Sequence, residues 1–282
     1  MENNRLSLVA VVETKGAVFS LSQLRNSLIA GINSRIQIYE WEKSTSTLNP
    51  TCGHSGHTIA LQIDVRGDLI LVGDLMKSLQ LHIYKEASKS IELVARDFNP
   101  AWMASSMMLG NTHFIGADSN YNLFTLRWND SSTNDEDRCR LNMVGQYHLG
   151  DFVNRFREGS LVMRLPDSEI SKLPTTLFGT INGAIGVIAA LPEEHYKLLN
   201  EVQNVIRQRI HGVGGLNHAE WRSFHTSFLR GDMGTTGYID GDLLEQILDL
   251  SSSEQERILS VFGDQEKANR CIRLIEDLSR LH

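Results

Sequence analysis

Four segments of the chain repeat one pattern, and that repeat limits the available folds more than any other feature. Residues 28–33 (LIAGIN) lead into 36–41 (IQIYEW), and 69–74 (LILVGD) into 79–84 (LQLHIY). Residues 114–118 (FIGAD) lead into 121–126 (YNLFTL), and 177–182 (LFGTIN) into 185–188 (IGVI). Each unit reads as an apolar strand, a Gly-containing tight turn and a second strand of alternating character. Gly31, Gly73 and Gly116 fall 42 and 43 residues apart, and Gly179 follows 63 residues later, across a polar insertion. A period in the low forties with four short strands per unit is that of a β-propeller blade. Propellers mostly bind proteins, so the repeat weighs against catalysis.

The pass along the chain places a short strand at residues 9–12 and opens blades at 17–21, 58–63, 102–104 and 152–154. Two loops interrupt them: 129–140 (NDSSTNDEDRCR), a polar, acidic and mobile excursion, and 164–176, irregular around Pro166 and Pro174. After Leu191-Pro192 the period changes to that of a helix. Tyr196, Leu199, Val202, Ile206 and Ile210 share one face, and residues 212–215 (GVGG) end that helix. A short helix over 243–248 follows Asp240-Gly241-Asp242, Ser251 and Glu254 have capping-box spacing, and Cys271, Ile272, Ile275, Leu278 and Leu281 mark a last amphipathic helix. The expectation is a mainly β protein: about four blades of a WD40-like propeller over residues 1–191, then a small α-helical domain over 192–282. Closed propellers usually have more blades, so the chain reads as part of a ring completed by residues not present.

A net charge of −7 argues against a sequence-independent grip on phosphate backbones. Cys52, Cys139 and Cys271 are far apart, which fits reduced, mostly buried thiols in cytosol or nucleus and excludes a disulfide framework or clustered zinc site. The first residues lack the apolar run of a signal peptide, and no stretch of about 18 uncharged apolar residues spans a membrane.

Motifs for chemistry are weak. Residues 232–243 (DMGTTGYIDGDL) resemble a calcium loop, but Gly234 stands at the third position and Leu243 where a bidentate Glu is needed. An Asp/Gly turn capping the next helix fits better. His211, His218 and His225 lie among carboxylates without a His-Glu-x-x-His or Gly-x-Ser-x-Gly pattern, and residues 231–237 lack a phosphate-binding Lys. No catalytic residue, metal site or cofactor is expected. Ile59 and Trp102 are 43 residues apart and both open a blade, with Phe152 at the same place in the next. With Leu61 they either line one rim of the propeller as a binding site or form ordinary inter-blade core, and spacing alone leaves both open.

Longer runs carry a family resemblance. Residues 67–76 (GDLILVGDLM), 95–100 (ARDFNP), 148–154 (HLGDFVN), 177–183 (LFGTING), 221–226 (WRSFHT) and 237–244 (GYIDGDLL) resemble the damaged-DNA-binding protein 1 family. Splicing and cleavage/polyadenylation propeller subunits share the Ile-Asp-Gly-Asp-Leu run, but the Arg-Asp-Phe-Asn-Pro and Trp-Arg-Ser-Phe-His segments resemble the damaged-DNA-binding protein 1 family more closely. The resemblance implies a nuclear and cytoplasmic adaptor of cullin-RING ubiquitin ligases, with three propellers and a helical C-terminal domain. This chain would correspond to the last quarter, opening inside the third propeller. Substrate receptors would be its partners, the cullin would bind through propellers absent here, and nucleic acid would be engaged only indirectly. Carried over by position, receptor contacts fall on Thr58, Ile59, Leu61, Gln62, Trp102, Phe152, Asn154 and Ile181, although Thr58 and Gln62 depart from the bulkier residues usual there. Trp221 and Phe224 are expected to pack the helical domain on the propeller. The alternative is an RNA-processing scaffold that binds nucleic acid.

Overall fold

The computed structural model describes residues 7–162, 173–209, 213–224 and 234–281. Two compact units divide the chain, residues 1–144 and 145–282. The first holds three sheets of four strands in chain order. They are β1 (Val18–Leu24), β2 (Ser27–Ile32), β3 (Arg35–Glu42) and β4 (Thr47–Ser55); β5 (Ala60–Arg66), β6 (Leu69–Asp74), β7 (Ser78–Lys85) and β8 (Ser90–Arg96); and β9 (Met103–Met108), β10 (His113–Asp118), β11 (Asn122–Trp128) and β12 (Leu141–His148). The division between units falls inside β12, after Val144.

Within the first unit the leading strands lie side by side, β1 against β5 and β5 against β9. Polar side chains on each leading strand reach the next one. Ser20 Oγ accepts from Ile63 N at 3.0 Å, Asp64 Oδ2 from Met108 N at 2.8 Å, and Gln62 Oε1 from Ser106 N at 3.1 Å. Between the sheets, Leu24, Ile29, Ile36 and Ile38 meet Ala60, Ile63, Ile70 and Val72 in one core. Each such Leu or Ile contributes roughly 1.5–3 kcal/mol by leaving water. The second strand of a sheet packs on both faces, which is why Ile70-Leu71-Val72 is apolar without alternation and wholly buried.

The repeat glycines do a different job from the one the pattern suggests. They lie inside the second strands rather than in the turns. A Cβ on Gly31 would sit 2.7 Å from the Ala60 carbonyl, and one on Gly73 would sit 2.8 Å from Ser106 Oγ. At these two positions contact with the neighbouring sheet demands glycine, whereas a Cβ on Gly116 would meet Phe124 of its own sheet and one on Gly179 would meet nothing within 4 Å. In the first three sheets non-Gly residues take the left-handed region instead, Asn33, Ser78 at the start of β7 and Tyr121, and in the fourth Gly183 does.

The second unit has a three-stranded sheet, β13 (Val153–Glu158), β14 (Thr175–Thr180) and β15 (Ile185–Ala189). Helices α2 (Glu193–Arg209), α3 (His218–Trp221), α4 (Gly241–Glu245), α5 (Ser252–Leu259) and α6 (Gln265–Ser279) follow; α1 (Asp135–Arg138) belongs to the first unit. Leu199, Val202 and Ile206 of α2 pack with Leu243, Leu244, Ile258, Cys271, Leu274 and Ile275. Asp240 caps α4 through Leu243 N and Asp264 caps α6 through Glu266 N, while the Glu254 carboxylate accepts from Ser251 N at 3.2 Å and from its hydroxyl at 2.6 Å.

Several expectations need correction. Residues 9–12 form no strand, because no neighbouring strand pairs with them among the described residues, and Val9 and Val11 are exposed. The acidic excursion contains α1, whose cap Asn134 accepts from Glu136 N and whose Arg138 carbonyl accepts from Trp128 Nε1. Thr175 and Thr176 belong to β14 rather than to an irregular loop. Of the three cysteines only Cys271 is buried; Cys52 is half-buried and Cys139 exposed. Ile210, His211, Gly212, His225, Asp232 and residues 164–172 lie outside the described residues.

Candidate functional site

One hydrogen bond recurs in all four sheets and fixes which residues are equivalent. The backbone N–H of a turn residue reaches the carbonyl at the start of the leading strand. The pairs are Asn33 to Ala17 at 3.1 Å, Leu75 to Ile59 at 3.0 Å, Ser119 to Trp102 at 2.8 Å and Ile181 to Phe152 at 3.0 Å. Ile59, Trp102 and Phe152 thus hold the same place in successive sheets, as their spacing suggests, and Ala17 holds it in the first. A buried carboxylate organises the turn beside Ile59. Asp74 Oδ2 accepts from Thr58 N at 2.6 Å, and its Oδ1 accepts from Met76 N at 2.9 Å and Lys77 N at 3.0 Å. Asp118 repeats the device with Asn120 N, Asn122 N and the Asn122 amide; burial raises its pKa against those bonds.

In the first unit this geometry brings Thr58, Ile59 and Trp102 to one rim. The Leu75 carbonyl accepts from Met103 N at 3.1 Å, so the turn after β6 joins the start of the second sheet to the start of the third. Trp102 is 43 % exposed, which is high for so large an apolar ring and inconsistent with ordinary inter-blade core. Thr58, Ile59 and Leu61 are half-buried. Gln62 is committed elsewhere: its Nε2 donates to the Ser106 carbonyl at 2.8 Å while its Oε1 accepts from Ser105 Oγ and Ser106 N. In the second unit Phe152 is half-buried, Asn154 is exposed and Ile181 is 63 % exposed. Asp151 Oδ1 steadies the same edge by accepting from Asn182 Nδ2 at 2.7 Å.

Two exposed residues escaped sequence reasoning, Met76 and Tyr121. Each sits in the turn after a second strand, beside an Asp that ends that strand. A polar Asn or Asp one to three residues past each repeat glycine was the available signal.

Trp221 and Phe224 flank a residue that matters more than either. Within the second unit Arg222 is buried, its Nε donating to Asp240 Oδ2 at 2.7 Å, and its guanidinium also reaches the His148 and Leu149 carbonyls at 3.3 and 3.0 Å. His218 Nε2 lies 2.7 Å from the same Asp240 oxygen, and Gln203 Oε1 accepts from Asp240 N at 2.7 Å. Burial alone would raise the Asp240 carboxyl, yet the His218 hydrogen bond and the Arg222 charge hold it at about 2. Burial next to Asp240 pushes the Tyr147 phenol upward, with the Arg222 guanidinium 4.7 Å from its ring centroid. Phe224 is buried, whereas Trp221 is half-exposed with the same guanidinium 3.6 Å over its ring. This hub ties α3, α4 and α2 to the end of β12. Neither Arg222 nor its bond to Asp240 was visible in the spacing, because the partners are 18 residues apart in the sequence.

The described residues contain no group of three His, Cys, Asp or Glu placed to hold a metal ion, and no helix among them is long and apolar enough to cross a membrane. The recurring turn bond and the consecutive four-stranded sheets define a partial β-propeller, followed by a helical region. A family model described as the CPSF A subunit region matches residues 1–249, and the chain belongs to that family. Over its whole length it is 48 % identical to DNA damage-binding protein 1a of Arabidopsis thaliana, 47 % to DNA damage-binding protein 1 of Oryza sativa subsp. japonica and 46 % to that of Solanum lycopersicum. The chain spans about a quarter of each of these relatives, 26 %.

Proposed function

We propose that the chain is the receptor-docking part of a non-catalytic adaptor, serving a cullin-RING ubiquitin ligase in the response to DNA damage. The exposure of Trp102 at a repeat-equivalent position carries this reading. Together with half-buried Ile59 and Leu61 and exposed Met76, that indole makes an apolar edge of the kind a partner covers. A helical segment of a substrate receptor would lay its apolar face against Ile59, Leu61 and Trp102, with Phe152, Asn154 and Ile181 as further contacts. Relatives named for DNA damage binding support the pathway, and the net charge of −7 favours recognition of DNA through a partner. Nucleus and cytoplasm are the compartments this role requires.

Trp102→Ala with Phe152→Ala in the full-length protein is expected to weaken receptor capture by about thirtyfold or more, the loss of an anchor worth about 2 kcal/mol. Unchanged capture by the double variant would remove the rim from the interface. A second reading, an RNA-processing scaffold, rests on the family description, which names a CPSF subunit. Mass spectrometry of the tagged full-length protein decides between them: a cullin with receptors supports the adaptor, and splicing or 3′-end-processing factors the scaffold.

A further inference from the structure

We propose that His54, His57 and His82 form a proton-triggered latch that loosens the seam between the first and second sheets when the pH falls below neutrality. His54 lies on β4, His57 in the connection to β5 and His82 on β7. Their ring centroids are 4.8 Å apart for His54–His82, 5.2 Å for His57–His82 and 6.0 Å for His54–His57. His57 and His82 are buried, and no ring nitrogen of either one makes a well-formed hydrogen bond, the Gln80 backbone near His82 only partly offsetting burial there. Four orphaned nitrogens in one seam are exceptional, since buried polar groups are nearly always satisfied. Leu24, Ile29, Ile70 and Val72 fill the rest of the interface between these sheets, so apolar side chains would have closed the seam at less cost.

Of the charged groups facing the cluster, Asp74 favours a protonated His57, and burial outweighs it. Asp74 Oδ2 lies 3.7 Å from His57 Nδ1, but that carboxylate already holds Thr58 N, and its other oxygen holds Met76 N and Lys77 N. Lys77, whose Nζ donates to the Gly56 carbonyl at 2.7 Å, opposes a second positive charge, as do the neighbouring rings themselves. Burial is the largest influence on both inner rings and pushes His57 down to about 4 and His82 to about 3. The sign follows directly. The closed seam excludes protons that the open seam accepts, so closure is fully favoured above the ordinary pKa near 6.5 and lost progressively as pH falls toward 4.

Hydrogen–deuterium exchange on the 282-residue chain, corrected for intrinsic exchange, tests the latch. At pH 5.5 each freed ring gains about an elevenfold protonation advantage, so opening that frees both rises about a hundredfold over pH 7.5. Protection in β4 and β7 is expected to fall by that factor while β11 stays within threefold. His82→Leu, which removes two orphaned nitrogens without removing a bond, should cut the fall to about tenfold; His57→Asn takes its place if that variant does not fold. A wild-type fall below tenfold overturns the proposal. So does a folded variant that keeps the full hundredfold response.

Discussion

The two compact units keep their order by opposite means. In the first, the same small links recur at every sheet: Ser20 to Ile63, Gln62 to Ser106, Asp64 to Met108, with a turn N–H returning to Ala17, Ile59 and Trp102. In the second, one buried ionic hub of Arg222, Asp240 and His218 gathers α2, α3, α4 and the end of β12. Distributed links fail one at a time, whereas a hub fails as a whole. Acid should separate the two as well. The first unit buries imidazoles whose charged form burial disfavours, so that they take up protons only on exposure, and the second buries a carboxylate already charged and fully paired.

The hub is where the comparison breaks most visibly. Asp240→Ala leaves the Arg222 guanidinium buried without its counter-charge, and it is expected to cost about 3–5 kcal/mol in denaturant melts of the second unit. Exchange protection in α2 and α4 should fall while β6 and β7 keep theirs; equal loss in both units would mean that they are not separately held.

Acid sharpens the contrast at a smaller magnitude. Asp240 sits at about 2, below its ordinary 3.8, so its contribution is complete above pH 4 and is lost as pH falls through about 2. That window is worth about 2 kcal/mol. In Asp240→Asn the loss of α4 protection between pH 4 and 2 should disappear, and a wild-type second unit that fails at pH 5 would show that another group controls it. The first unit, through His57 and His82, is expected to respond two pH units earlier.

The smallest expected effect is that of one distributed link. Gln62→Ala removes the bonds to Ser105 and Ser106 and should cost about 1 kcal/mol, because Ser20 and Asp64 still join the sheets. A loss as large as that of Asp240→Ala would erase the distinction. Receptor capture that falls with Gln62→Ala while stability is unchanged would instead place this amide in the interface.

Legibility in the sequence followed the range of the interaction. The second and third strands of the first three sheets stood in the 42- and 43-residue spacing of Gly31, Gly73 and Gly116, and those of the fourth in the same pattern 63 residues on, since a repeated fold must repeat its local pattern. Ile59 and Trp102 were found as equivalents for the same reason. Residues 9–12 misled because β-branched residues make a strand only when another strand is there to pair. Local caps were readable, Asp240 before α4 and Ser251 with Glu254 before α5, because all the atoms lie within one turn. Arg222 was not, and neither was the histidine cluster. Nothing in the run from 54 to 82 announces that three rings converge from two sheets.

By itself, then, the sequence determined the repeat, the change from strands to helices after Leu191, and which positions are equivalent from blade to blade. Period and propensity act over a few residues and leave their mark on the chain. Only the tertiary structure decided that Gly31 and Gly73 answer to the neighbouring sheet, that Trp102 faces water, that Gln62 is spent between blades, and that Asp240 belongs to Arg222 and His218. Those outcomes depend on which surfaces meet, and burial then sets the strength and charge state of every polar group caught between them.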